Sequence, residues 1–229
     1  MKKLIKKCFV TTLPVMAGYL FLGTGFGMLL QSKGYGILWS VAMSGLIYAG
    51  SMQDLAIDLL CGGASLITAA VTTLMVNARH LFYGISMIDT YQDTGAYKPY
   101  LIFALTDETY SLNCGGAPDD VRNPKLYYFL VSLFNQCYWV TGSALGVLAG
   151  TLLPINTEGI DFALTALFVT VFVEQWKSTQ DHIPALIGVI CSLVSVIIFG
   201  PGSFLIPAMI LITLALALYR GRKEGKSYA

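Results

Sequence analysis

Leu74-Met75-Val76-Asn77-Ala78-Arg79-His80-Leu81-Phe82-Tyr83-Gly84 lies inside a longer apolar run from about residue 64 to 88. An Asn, an Arg and a His within four residues, flanked by apolar side chains, are hard to explain as packing alone. The fold turns on whether this run crosses a bilayer, because a charge at membrane depth is costly and by default functional. Composition decides that it does. Of the 229 residues 55% are hydrophobic and 12% charged, about half the roughly 25% charged content of a soluble domain. Fourteen Lys and Arg against thirteen Asp and Glu leave a formal charge of +1, so no basic surface exists to hold a nucleic acid. The expectation is an all-α, polytopic integral membrane protein, a single transmembrane permease domain over residues 1–229.

Working outward, apolar segments of about 20 residues, the length that spans a bilayer, fall at 9–30, 36–60 and 64–88, followed by a shorter fourth segment at 99–112. The second half continues near 125–153, 160–176, 183–199 and 203–219. Four lysines stand before the first segment, and Arg220, Arg222, Lys223 and Lys226 follow the last, while the loops 154–159 and 200–202 carry no Lys or Arg. The positive-inside rule then places both termini in the cytoplasm. An even number of crossings follows: eight spans, with seven, or a re-entrant fourth segment, as the alternative. Lys33 is on the wrong side for this scheme. Pro14 interrupts the apolar core a signal peptide would need, so the first span is expected to stay in the mature protein.

Tyr19-Leu-Phe-Leu-Gly-Thr-Gly-Phe-Gly-Met-Leu29 aligns with Tyr138-Trp-Val-Thr-Gly-Ser-Ala-Leu-Gly-Val-Leu148 at a constant offset. Either this is chance between glycine-rich helices or it marks repeat halves at 9–114 and 125–219. Gly142-x-x-x-Gly146-x-x-x-Gly150 reads as a helix-packing ridge.

Polar residues concentrate in the first half. In Tyr48-Ala-Gly-Ser-Met-Gln-Asp-Leu-Ala-Ile-Asp58, Gly50 and Ser51 weaken the helix, and Gln53, Asp54 and Asp58 bring polar groups to membrane depth. A helix broken there would expose backbone groups to a zwitterion or a cation; alternatively the span ends near Ser51. Asn77 and His80, three apart, share a helix face. Arg79 offers a planar fork for a carboxylate of the substrate or of a buried acid, and His80 either carries a coupling proton or is structural. Asp107 and Glu108 point about 100° apart on a helix and cannot both face one partner: Asp107 is expected to neutralise Arg79 while Glu108 faces a cavity or another helix.

Other chemistry lacks support. Cys8, Cys61, Cys114, Cys137 and Cys191 form no CxxC pair and read as small hydrophobes. No HExxH motif, P-loop or GxSxG elbow occurs, so neither a metal, a cofactor nor an enzyme activity is expected.

Leu13-Pro14 with its glycine-rich continuation, Met43-Ser44 leading to Ala49-Gly50-Ser51-Met52-Gln53, Val76 to Gly84, Leu105-Thr106-Asp107-Glu108-Thr109, and Asp161-Phe162-Ala163-Leu164 with Phe168 occur in the order of the AzlC family of branched-chain amino acid exporters, which the chain resembles over about residues 10–200. The resemblance implies a multi-pass permease of the bacterial cytoplasmic membrane that exports leucine, isoleucine, valine or their analogues, usually with a small, separately encoded membrane partner of the AzlD type. The chain departs at Asp54, where the family tends to carry an aromatic or apolar residue, and adds Asp58 one turn later. Those acids make a cationic or more polar amino acid the alternative substrate. A non-transporting scaffold subunit is the rival from another class. With no ATP-binding motif, energy must come from an ion or substrate gradient.

Overall fold

The computed structural model describes residues 1–77 and 79–152, positions 169, 172, 173, 176 and 177, and residues 179–200 and 204–227. Among the described residues the regular structure is helical, with no strand. The chain forms two compact units, Met1–Ala163 and Leu164–Ala229.

The first unit is organised by two long helices, α1 (Lys2–Ser32) and α9 (Pro124–Leu152). Shorter helices lie between them in sequence: α2 (Ile37–Leu46), α3 (Gly50–Cys61), α4 (Leu66–Asn77), α5 (Arg79–Ser86), α6 (Ile88–Tyr91), α7 (Lys98–Phe103) and α8 (Asp107–Asn113). Among the described residues α1 alone is long and apolar enough to cross a membrane by length and composition.

Helices α1 and α9 run parallel. Near their starts Cys8 Sγ approaches the Tyr127 carbonyl oxygen, a separation of 119 residues; toward their ends Gly27 lies against Gly146, at the same offset. A constant difference in residue number along the interface defines parallel helices. The contacts are also reciprocal. Gly27 meets Ser143 as Gly146 meets Thr24, and Gly23 meets Trp139 as Gly142 meets Leu20. This is the local two-fold relation that the alignment of Tyr19–Leu29 with Tyr138–Leu148 calls for, in this helix pair. Glycine is required at the crossing: a Cβ on Gly23 would sit 2.9 Å from the Ser143 nitrogen and one on Gly142 2.7 Å from the Tyr19 oxygen, which is how small residues let two backbones approach.

The segment expected as one span over 36–60 is two helices. After α2, Tyr48 takes φ 45°, a left-handed conformation costing a non-glycine residue about 1–2 kcal/mol; its ring, 3% exposed, is locked in the core. Ala49 is extended and α3 restarts at Gly50, where a Cβ would meet the Trp139 ring at 3.1 Å. The fourth segment is likewise divided. Helix α7 ends at Phe103, and Thr106, extended and with its Oγ1 accepting from the Thr109 N–H, caps α8. A Thr N-cap followed by Asp107 and Glu108 in the first turn is a helix start signal, which a reading of 99–112 as one segment passes over. The run 64–88 is helical on both sides of Ala78, which is outside the described residues.

In the second unit, α10 (Ile183–Phe199) and α11 (Leu205–Ser227) pack together. Tyr219 donates to Asp181 at 2.8 Å, and Trp176 stacks on His182 with centroids 4.2 Å apart. Of the span expected at 160–176 only a few positions are described, and Asp161 to Leu164 and Phe168 lie outside them.

Candidate functional site

Arg79 joins the two interrupted segments. Its Nη1 lies 2.7 Å from Asp107 Oδ2, at the start of α8, and its Nη2 donates to Ser51 Oγ at 3.0 Å, at the start of α3. The guanidinium therefore staples two half-helix N-termini, with both side chains of the ion pair about a third exposed, at 33% and 37%. The pair is not saturated. Arg79 Nε and Asp107 Oδ1 are buried and have no hydrogen-bond partner, although buried polar atoms are as a rule paired. The Tyr83 hydroxyl also approaches the Asp107 carboxyl. Tyr83, stacked on Tyr110 with centroids 4.6 Å apart and edge-on to His80, provides an aromatic wall nearby.

Glu108 turns to another helix. The Tyr19 hydroxyl of α1 donates to its Oε2 at 2.6 Å and lies 2.7 Å from Thr106 Oγ1. Thr106 Oγ1 is 3.0 Å from Thr109 Oγ1, which also accepts from Asn135 Nδ2 of α9 at 3.0 Å. Asp107 and Glu108 thus serve different neighbours, as side chains about 100° apart must.

Gln53 belongs to the frame. Fully buried, it donates to Ser44 Oγ at 3.1 Å and accepts from Trp139 Nε1 at 2.8 Å, tying α2, α3 and α9 together. Gln136 does the same one layer away, donating to the Gly45 carbonyl at 3.1 Å and accepting from Tyr100 at 2.7 Å. This satisfies one of the carbonyls that the end of α2 leaves open. Asp54 is partly buried on α3, and Asp58 is exposed.

Asn77 and His80 face a different space. Both line a cavity of about 410 Å³ whose other walls include Leu74, Leu81, Met87, Ile102 and Leu105, with Tyr91 and Lys98 also bordering it. His80 Nδ1 is 3.1 Å from the Asn77 carbonyl oxygen. The volume falls in the range of about 300–1,000 Å³ usual for small-molecule sites, and such sites are mostly apolar. The eight candidates therefore separate into three groups: Ser51, Arg79, Asp107 and Glu108 around the interruptions, Asn77 and His80 on the cavity, and Gln53 in the frame with Asp54 on the same helix. Asn77, at the end of α4, and Arg79, at the start of α5, meet different neighbours. Tyr19, Tyr48, Thr106 and Asn135 were not legible as site residues. Tyr19 could have been found from its place at the head of the aligned stretch.

A family model described as AzlC protein matches residues 14–153. The chain belongs to the AzlC family. It is 44% identical over 216 residues to the Branched-chain amino acid transport protein AzlC of Bacillus subtilis, covering 94% of this chain and 85% of that one. An Uncharacterized membrane protein of Haemophilus influenzae is 40% identical over 222 residues, 96% of this chain and 91% of its own. The Inner membrane protein YgaZ of Escherichia coli is 28% identical over 177 residues, 74% of this chain and 72% of its own. No solved structure matches the chain. A membrane location agrees with the names of these relatives and with the apolar composition of the AzlC chain.

Proposed function

We propose that this AzlC protein is a secondary transporter that exports branched-chain amino acids across the cytoplasmic membrane, acting with a small membrane partner of the AzlD type. The observation that carries the reading is the Arg79–Asp107 pair with its unpartnered Nε and Oδ1. A zwitterionic amino acid head has the complementary groups: its carboxylate accepts from the guanidinium, and its ammonium donates to the aspartate. The neighbouring cavity, walled largely by aliphatic side chains, suits a branched side chain and offers little to a cationic one. His80 adjoins Arg79, and Leu105 precedes Asp107 by two residues, so the same segments serve both subsites. Interrupted helices at a substrate site are a recurrent design in secondary transporters. Where α9 spans beside α1, their parallel course requires an odd number of crossings between them, which the three segments expected at 36–60, 64–88 and 99–112 would supply, in keeping with eight spans and cytoplasmic termini.

The test is counterflow. The chain, reconstituted in liposomes with its small partner, should exchange labelled leucine against unlabelled leucine, isoleucine and valine. Arg79→Lys should assemble with the partner but lose exchange, because a point charge cannot replace a planar fork that holds two acceptors. Normal exchange in Arg79→Lys would sink the site assignment. Loss of assembly in Arg79→Lys, Ser51→Ala and Asp107→Asn alike would favour the scaffold.

A further inference from the structure

We propose that Glu108 is the group that takes up and releases a proton during the transport cycle, an inference that rests on the transport reading above and names its coupling ion. Arg79 is the sole Lys or Arg between residues 34 and 97, and it is committed to Asp107 through Nη1 and to Ser51 through Nη2. Among the described residues no Lys, Arg or His nitrogen lies within 4.0 Å of the Glu108 carboxylate. A carboxyl at this depth with no cation beside it is tolerated most readily when it can become neutral. The groups facing it are Tyr19 from α1, Tyr48 from the link between α2 and α3, Tyr83 and Arg79 from α5, and Asp107 on its own helix; α9 contributes the neutral Asn135 through Thr109.

The hydroxyl chain accommodates either state. With Glu108 ionised, Tyr19 donates to its carboxylate and Thr106 to Thr109, which leaves the Tyr19–Thr106 contact without a hydrogen. With Glu108 protonated, Glu108 donates to Tyr19, Tyr19 to Thr106, and Thr106 to Thr109. The three oxygen–oxygen contacts, at 2.6, 2.7 and 3.0 Å, hold two hydrogens with Glu108 ionised and three with it protonated, and only the Tyr19 hydroxyl rotor turns to admit the added proton. Asn135 donates to Thr109 in both. The step makes or breaks one carboxyl O–H bond and nothing else, and no heavy atom moves. Glu108 does not line the 410 Å³ cavity, so substrate held there would not displace the proton by direct contact.

Two measurements on one preparation test this: counterflow of labelled leucine, and leucine-driven proton movement reported by a pH-sensitive dye sealed in the liposomes. Wild type should show both. Glu108→Gln, isosteric with the protonated acid, should keep counterflow near the wild-type rate and lose leucine-driven proton movement, with exchange no longer dependent on pH. Tyr19→Phe should retain both activities and move the pH profile upward, since the ionised carboxyl loses its donor. Persistent proton movement in Glu108→Gln overturns the assignment. So does loss of counterflow in folded Glu108→Gln, whether or not Glu108→Asp restores it, because the carboxyl would then hold substrate or structure. Leucine exchange without proton movement in wild type overturns the coupling but leaves the transport reading standing. Absence of exchange with every amino acid tried overturns both.

Discussion

The α1–α9 crossing and the region of interrupted helices treat polar groups in opposite ways. At the crossing, Thr12, Thr24 and Ser143 turn their hydroxyls back to carbonyls of their own helices, at 3.0, 2.7 and 2.8 Å, with longer contacts of Thr12 to Tyr138 and Thr24 to the Gly142 carbonyl across the pair at 3.1 and 3.4 Å, and glycines let the backbones touch. Around the interruptions a tyrosine sits in a left-handed conformation, an ion pair keeps two unpartnered atoms, and side chains reach between helices. The first region has one good packing solution. The second has groups whose partners can change, which is what a site that binds, releases and moves must have. Local irregularity concentrates at functional sites for this reason, and a rigid neighbour is what gives it a fixed reference.

The largest effect expected is at the crossing. Gly146→Ala would drive a methyl into the Thr24 carbonyl, and Gly27→Ala into that of Ser143, so each should cost about 1–3 kcal/mol as overpacking. Because the contacts are reciprocal, the two should cost similar amounts. Gly25→Ala is the control: nothing lies within 4 Å of its Cβ position, and removing a helical glycine should stabilise by up to about 1 kcal/mol. Thermal denaturation in detergent reads all three. Equal melting temperatures for Gly146→Ala and Gly25→Ala would break the distinction between the two regions.

The interruptions should respond in function before stability. Asp107→Asn is expected to lower the melting temperature less than Gly146→Ala, since the pair is a third exposed and screened, while removing leucine exchange. Ser51→Ala deletes one hydrogen bond to Arg79, worth about 1 kcal/mol, and should weaken exchange only a few-fold. A stability loss in Asp107→Asn as large as in Gly146→Ala would make this region structural as well.

The long helices are legible because nothing local contradicts their apolar pattern: the segments 125–153 and 183–199 are helical as α9 and α10 within a residue or two. The interruptions were half legible. Gly50 and Ser51 flagged a weak point, but the turn falls two residues earlier, on Tyr48, whose left-handed backbone is held by burial that no local sequence signal announces. In Thr106-Asp107-Glu108 the charges are the stronger sequence signal and mask the capping value of Thr106, which divides the segment into two helices. In the site, the pairing of Arg79 with Asp107 followed from charge accounting. The separation of Asn77 from Arg79 did not, because it depends on which neighbour each helix face meets. Tyr19, some 90 residues from Glu108, is a partner that only tertiary structure supplies.

The cavity offers a finer discrimination. Gly84 borders it, with open space where a Cβ would be, so Gly84→Val should fill part of it without disturbing the α1–α9 frame. Leucine should then lose ground to alanine in competition counterflow by about 1–3 kcal/mol, the usual worth of a methylene in an apolar pocket. An unchanged order of competitors would remove the cavity from the site and leave the ion pair alone.

The smallest effect belongs to the ends of the frame. Lys7 of α1 pairs with Asp120 in the loop before α9, and the lysine's hydrogen bond holds the Asp120 carboxyl below its usual range. A carboxyl depressed in the folded state stabilises it above its unfolded pKa, and that contribution fades as pH falls through the lower folded value. Asp120→Asn should therefore lower the melting temperature slightly at neutral pH and not at all in strong acid. The carboxyl is fully exposed, so molar salt should erase even the neutral-pH difference. A shift that survives high salt, or rivals that of Gly146→Ala, would mean that the parallel pair is fastened at its ends and not at its glycines.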